Sequence, residues 1–262
     1  MPLTYHSYLK IEELLKLQEF RSPEEHDEML FIVIHQAYEL WFKQILHELD
    51  YISRIMEQQQ EIQTAFHSMK RVLTILKVLV HQVDILETMT PLEFLSFRDY
   101  LETASGFQSY QWRELEFKLG LKSELHVHRF ETGSVIREKL VKRFEEPSLW
   151  QNFMTYLNAA GFNIPSEVLN SDTKLSTRPS EAVQKVMLDI YKTNARLAQF
   201  CELLVDLDEG IQEWRYRHVK MVERTIGYKQ GTGGSAGVEY LKKSLFNPLF
   251  PDLWEIRSSF SK

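Results

Sequence analysis

The stretch Met29–Leu49, MLFIVIHQAYELWFKQILHEL, reads as a helix that is apolar on more than one side. Leu30, Ile34, Ala37, Tyr38, Trp41 and Ile45 form one stripe at helical spacing, and Phe31, His35, Phe42 and Leu46 form a second. A helix with one apolar stripe covers a core from outside, whereas one with two is covered on several sides. The sequence therefore places this helix at the centre of a bundle. Its expected extent is 23–57, because Ser22-Pro23-Glu24-Glu25 offers a serine N-cap, proline at the first position and a glutamate three residues after the cap. Glu39 lies one turn beyond His35, so a structural pairing of the two accounts for that histidine on its own.

Working outward, 181–226 repeats the helical pattern through Val183, Val186, Met187, Ile190, Leu197, Phe200, Leu204 and Val205. One helix or two is left open, with any break expected near Asp206–Gly210. Towards its end Ile211, Trp214, His218, Met221, Val222 and Thr225 share one face, flanked by Arg215, Arg217, Lys220 and Arg224. Gly227 is the natural stop. The following Gly231-Thr232-Gly233-Gly234-Ser235 can bring backbone N–H groups close to a ligand, or order around one. It is not a phosphate-binding P-loop, since no Gly-Lys-Ser/Thr ending follows a strand. A lone histidine on an apolar face is most often a core residue, and a lone glycine-rich loop most often a turn.

The rest of the chain completes an all-α expectation. Helices are predicted over 11–20, over 65–89 with Val72, Ile75, Leu76, Leu79, Val83 and Leu86 as its stripe, and after the Thr90-Pro91-Leu92-Glu93 capping signal. Arg98 follows Phe94 and Phe97, which suits either a salt bridge to a core acid or forked capture of a ligand carboxylate. Shorter helices are expected over 137–144, 147–157 and 238–246. The stretch 1–9 reads as an aromatic arm with Tyr5 and Tyr8, 158–179 as a peripheral loop-rich segment, and 247–254 as an apolar tail on the core. The whole of 1–262 reads as one domain.

Composition bounds the function. A chain of 262 residues with 44% hydrophobic and 26% charged content can bury a substantial core. A net charge of −6 argues against nucleic acid as the main partner. No apolar run reaches the ~20 residues of a membrane span and no secretory pattern opens the chain, so a cytoplasmic protein is expected. The single cysteine, Cys201, excludes an internal disulfide and thiolate zinc sites. None of the nine histidines has an acid three residues before it, which disfavours a di-iron carboxylate bundle. The zincin spacing His-Glu-x-x-His and the Gly-x-Ser-x-Gly elbow are both absent. Haem, which needs one proximal histidine and an apolar pocket, is compatible with His218 and His35 as ligand and distal residue.

Four blocks carry a resemblance: HDEMLFIVIHQAYELWFKQILHEL, LETMTPLEFLSFRDYL with ASGFQSYQWRELEF, WRYRHVKMVERTIG, and GTGGSAGVEYL. In this order, nearly end to end, the chain resembles the tryptophan 2,3-dioxygenase family. The resemblance implies an all-helical, haem b-dependent homotetramer that inserts both atoms of O2 across the indole C2–C3 bond of L-tryptophan, giving N-formylkynurenine. It further implies His218 as the proximal iron ligand, His35 as the distal histidine facing the indole N–H, and Phe31 and Phe94 as walls of the indole pocket. Arg98 would take the substrate carboxylate, Thr232 the ammonium, and Ser105 and Gly106 would lie beside the haem. Tyr5, Tyr8 and Leu9 resemble residues that reach a neighbouring subunit's pocket. Phe94 stands where some members have tyrosine, Trp112 where a smaller aromatic is usual, and Val83 where some have tryptophan. A same-fold haem peroxygenase or monooxygenase on another aromatic amino acid is the alternative.

Overall fold

The computed structural model describes residues 2–232 and 237–260. In chain order these form α1 (Tyr5–Leu9), α2 (Ile11–Leu14), α3 (Glu28–Glu57), α4 (Phe66–Leu86), α5 (Pro91–Arg98), α6 (Tyr110–Lys118), α7 (Glu124–His128), α8 (Val135–Glu145), α9 (Leu149–Ala159), α10 (Ser166–Leu169), α11 (Glu181–Thr193), α12 (Ala195–Ile226), α13 (Val238–Lys242) and α14 (Pro251–Glu255). No strand occurs among the described residues, as the all-α expectation requires. None of these helices is long and apolar enough to cross a membrane.

Three helices make the frame: α4 packs against both α3 and α12, while α6 and α9 flank α3. The 30 residues of α3 and the 32 of α12 give rods of roughly 45 Å at 1.5 Å per residue. Both apolar stripes of α3 contribute to the core, with Ile34, Tyr38, Phe42, Ile45 and Leu46 buried and Leu30, Phe31 and Trp41 packed against them. All six expected stripe residues of α4 are buried. The C-terminal tail packs as expected, with Leu249, Phe250 and Leu253 in the core.

Three boundaries differ from the sequence expectation. The helix containing His35 starts at Glu28, not Pro23, because Ser22 serves a different acceptor. Ser22 N–H and its hydroxyl donate to Glu28 Oε2 at 2.7 and 2.6 Å, and Arg21 N–H donates to Glu28 Oε1 at 2.8 Å. The preceding segment forms α1 and α2 rather than one helix over 11–20, with Lys10 in the left-handed region (φ 52°) between them. The 181–226 region divides at Asn194, whose side chain accepts from Leu197 N–H at 3.1 Å, and not near Asp206–Gly210.

The residues that looked like a break have other work inside an unbroken helix. Asp208 Oδ2 accepts from Leu249 N–H, Phe250 N–H and Trp254 Nε1, docking the tail. A Cβ on Gly210 would stand 3.1 Å from Leu76 Cδ1, so glycine lets α12 and α4 approach closely.

Burial pushes the Glu28 carboxyl up, but the Ser22 hydroxyl and the Arg21 and Ser22 N–H donors outweigh it and hold it below the usual range. Its contribution to stability is thus present above the unfolded pKa and lost as pH falls through the lower folded one. Glu28→Ala, which strands these donors, should cost about 2 kcal/mol in urea unfolding at pH 7. The gap from wild type should narrow below pH 4; an unchanged gap there would rule out the carboxylate as its source.

Candidate active site

Between α3, α5, α6 and α12, bordered by residues 105–109, 231–232 and 237–247, lies a cavity of about 500 Å3. Its wall includes Phe31, His35, Phe94, Arg98, Ser105, Gly106, His218 and Thr232, so eight separately expected residues converge on one space. Tyr5, Tyr8 and Leu9 do not join them: they lie on α1 and are exposed. Gly233, Gly234, Ser235 and Ala236 of the glycine loop lie outside the described residues.

His218 sits on α12 one turn after Trp214, and the two rings stack face to face, centroids 5.1 Å apart and planes within 4°. The imidazole lies deep in the protein while part of its surface opens onto the cavity. Burial, helped by the proximity of His35 and Arg113, pushes its pKa down to about 4, so the ring is neutral at pH 7. No group among the described residues hydrogen-bonds either ring nitrogen, which leaves a neutral lone pair for whatever fills the cavity. Trp214 continues into an aromatic cluster with Trp112 (4.3 Å), Phe42 and Tyr38, and Tyr38 donates to Leu79 O at 2.8 Å.

His35 is held by its own helix. Its Nδ1 lies 2.7 Å from Phe31 O, one turn back. Burial keeps the ring neutral, so Nδ1 carries the proton to that carbonyl and Nε2 presents a lone pair with no partner among the described residues. Glu39, expected as its structural partner, instead accepts from Gln111 Nε2 at 2.8 Å. The Phe31 ring stands 4.2 Å from that of His35 and within 5.8 Å of Phe94 and Phe97, forming an aromatic wall.

Arg98 makes no ion pair among the described residues; its Nη2 donates to Gln230 O at 2.6 Å. Thr232 Oγ1 donates to Ala104 O, also at 2.6 Å. Both polar side chains at this end of the cavity are thus engaged with backbone carbonyls only. Ser105 begins the tight turn 106–108, and a Cβ on Gly106 would meet nothing within 4 Å.

The sequence reading did not single out Arg113, Glu116 or Tyr240, it took His126 and His128, two apart, to suit a surface or strand site, and it treated Arg215 as part of a basic flank. The structure buries Arg113 and Arg215 and places Arg113, Glu116, His126, Arg215 and Tyr240 on the cavity wall. Nothing in the spacing of α6 separates an inward Arg113 from the solvated arginines common on helices. Its orphaned Nε becomes visible only in three dimensions.

Fold and site together define an all-helical protein with a deep aromatic cavity whose wall carries three neutral histidines and three guanidiniums. A family model described as tryptophan 2,3-dioxygenase matches residues 1–161 and 166–260. The chain is 56% identical over 257 residues to a curated tryptophan 2,3-dioxygenase of Herpetosiphon aurantiacus, covering 98% of both chains. It is 52% identical to that of Anaeromyxobacter sp. (strain K), covering 98% of this chain and 96% of the relative, and 42% identical to that of Bacillus anthracis, covering 98% and 92%. The chain belongs to the tryptophan 2,3-dioxygenase family.

His126 provides a test of the cavity's electrostatics. Burial and the nearby Arg113 depress its pKa to about 4, so between that value and about 6.5 the unfolded chain binds a proton that the folded chain excludes. Stability therefore falls on acidification through this window. NMR titration should find the His126 ring still neutral at pH 5.5, and His126→Gln should lose less stability than wild type between pH 7 and 5. Protonation near 6.5 would contradict the buried, cation-facing placement.

Proposed function

We propose that this protein is a haem b-dependent dioxygenase that inserts both atoms of O2 across the indole C2–C3 bond of L-tryptophan, giving N-formylkynurenine and opening the kynurenine route of tryptophan breakdown. The observation that carries the reading is the pair of neutral imidazoles in one aromatic cavity, His218 with a free lone pair and His35 with Nε2 free. Among the described residues no three His, Cys, Asp or Glu side chains converge to hold a metal. An iron bound by His218 alone would therefore have to bring its in-plane donors with it, as a tetrapyrrole does. A volume of about 500 Å3 is within the range of organic-ligand pockets. When bound, ferrous haem supplies the spin-allowed route by which O2 reacts with a closed-shell indole.

The chain's own residues do the positioning. Arg98 exchanges the Gln230 carbonyl for the substrate carboxylate, a stronger and bidentate partner. The Thr232 hydroxyl leaves Ala104 O and holds the ammonium. With both ends of the zwitterion fixed, the indole is confined between Phe31 and Phe94, and its N–H donates to His35 Nε2. Indole C3 is itself electron-rich, so His35 acts by holding the N–H and not as an obligatory base. Ser105 and Gly106 border the haem on the substrate side, and Tyr5, Tyr8 and Leu9 complete the pocket of an adjacent subunit in a homotetramer. The enzyme would work in the cytoplasm, without membrane or nucleic acid.

Reduced, haem-loaded protein given L-tryptophan under isotopically labelled O2 should yield product carrying two labelled oxygens. One label, or turnover only with peroxide, would replace this reading with a peroxygenase of the same fold. His218→Ala should abolish haem-dependent turnover, whereas His35→Ala, losing one hydrogen bond, should reduce kcat on the order of 10-fold. Complete loss in a His35→Ala protein that still binds haem and tryptophan would overturn the positioning role.

A further inference from the structure

The end of the cavity walled by α6 and α12 holds more positive charge than the protein neutralises. Arg113 and Arg215 are 7% and 4% exposed and share a single carboxylate. Arg113 Nη1 lies 2.5 Å from Glu116 Oε2, and Arg215 Nη2 lies 3.3 Å from Glu116 Oε1. Arg215 Nη1 also donates to Ser244 O at 3.4 Å. Asp208, two turns earlier on α12, adds a favourable charge to Arg215 but makes no hydrogen bond to it; its Oδ2 is taken up by the C-terminal tail. Arg113 Nε and His126 Nδ1 are buried with no hydrogen-bond partner. Lys243 adds a further cation at the rim.

Among the described charged side chains of the cavity wall, Arg98, Arg113, Arg215 and Lys243 face only two carboxylates, Glu39 and Glu116. Glu39 is engaged with Gln111. With Arg98 set aside for the substrate, two buried arginines share the one charge of Glu116, and the exposed Lys243 stands beside them at the rim. An undercompensated buried cation is destabilising, and an unmade bond at a buried donor adds to that cost. Both costs disappear when an anion occupies that end of the cavity.

The geometry points to a carboxylate seat here: Arg113, braced by Glu116 against Arg215, receives the paired acid groups on one edge of the haem, with Lys243 meeting them at the rim. This rests on the haem reading above and deepens it, since it fixes which way the macrocycle is turned about His218. Arg113 is the buried anchor, its Nε and the Nη not given to Glu116 forming the free edge of the guanidinium fork. Glu116 is a positioning residue that holds both arginines at the wall.

The test compares two probes on the full-length chain prepared without haem: ferric protoporphyrin IX as the diacid, and its dimethyl ester, each followed by Soret absorbance. The wild type should bind the diacid about 10-fold or more tighter than the ester, as loss of a charge-assisted pair requires. Arg113→Met should weaken diacid binding by about 10-fold and leave the ester unchanged, with Arg113→Lys between the two. Far-UV circular dichroism and a thermal melt establish that the variants fold, and the wild-type comparison of acid with ester decides even if they do not. Equal binding of acid and ester by the wild type, or equal weakening of both by Arg113→Met, overturns the seat and leaves the haem reading standing. No Soret change with either probe removes both.

Discussion

The site depends on α12 passing the cavity as one uninterrupted helix. Trp214, Arg215 and His218 reach the same space only because the helical phase set at Asn194 survives to Ile226. That continuity is not favoured locally, since Asp206, Asp208 and Gly210 are poor helix residues. Tertiary contacts supply the difference. The Asp208 carboxylate is repaid by three donors from the C-terminal segment, and the missing side chain of Gly210 admits Leu76 of α4. A bend here would tilt the following two turns and carry His218 away from the cavity, so the tail and α4 act on the site from a distance by keeping a rod straight.

Polar groups in this protein divide by how well they are satisfied. In the scaffold some are met several times over. Lys122 Nζ donates to Arg143 O, Phe144 O and Glu146 O at the end of α8, and Arg143 makes a bidentate pair with Asp50 at 2.6 and 2.8 Å. At the cavity wall the opposite holds: Arg113 Nε, His126 Nδ1 and Trp214 Nε1 are buried without partners, and His218 and His35 Nε2 hold free lone pairs. A fold able to saturate Lys122 has the means to saturate Arg113. Orphaned oxygens also occur in the scaffold, at Ser53, Gln82, Asp208 and Asp252, but the orphaned nitrogens among the described residues all belong to the cavity wall, where a ligand would provide what is missing.

The helical frame was legible because its signals are periodic and local. The stripes on α3 and α4 and the caps at Thr90 and Gly227 follow from spacing alone, and each reappears in the structure. What misled was chemistry with two uses. Ser22 carries the signature of an N-cap, yet Glu28 six residues on is a better acceptor for its donors, and only packing decides between them. Gly210 reads as a breaker because sequence cannot distinguish a glycine that ends a helix from one that admits a neighbouring helix. Of the site, the histidines stood out as polar residues on apolar faces, and Arg98 stood out among aromatics. Arg113 and Glu116 did not, since Arg and Glu three apart on a short helix look like any solvated ion pair.

The contacts of Arg98 and Thr232 bear on how such a cavity stays closed yet accessible. Each side chain hands its hydrogen to a main-chain oxygen, Gln230 and Ala104 respectively, so neither is left bare while the glycine loop's leading edge is drawn against the 98–104 segment. A neutral carbonyl is a weak partner for a guanidinium, and a carboxylate is roughly twice as strong. On the proposed reading, an arriving carboxylate would gain only the difference between the two partners, which would moderate affinity while releasing Gln230. Because both contacts lie within three residues of chain, exchanging one loosens the other. On that reading, recognition of the amino-acid end would be tied to rearrangement of residues 230–232, through two hydrogen bonds of 2.6 Å.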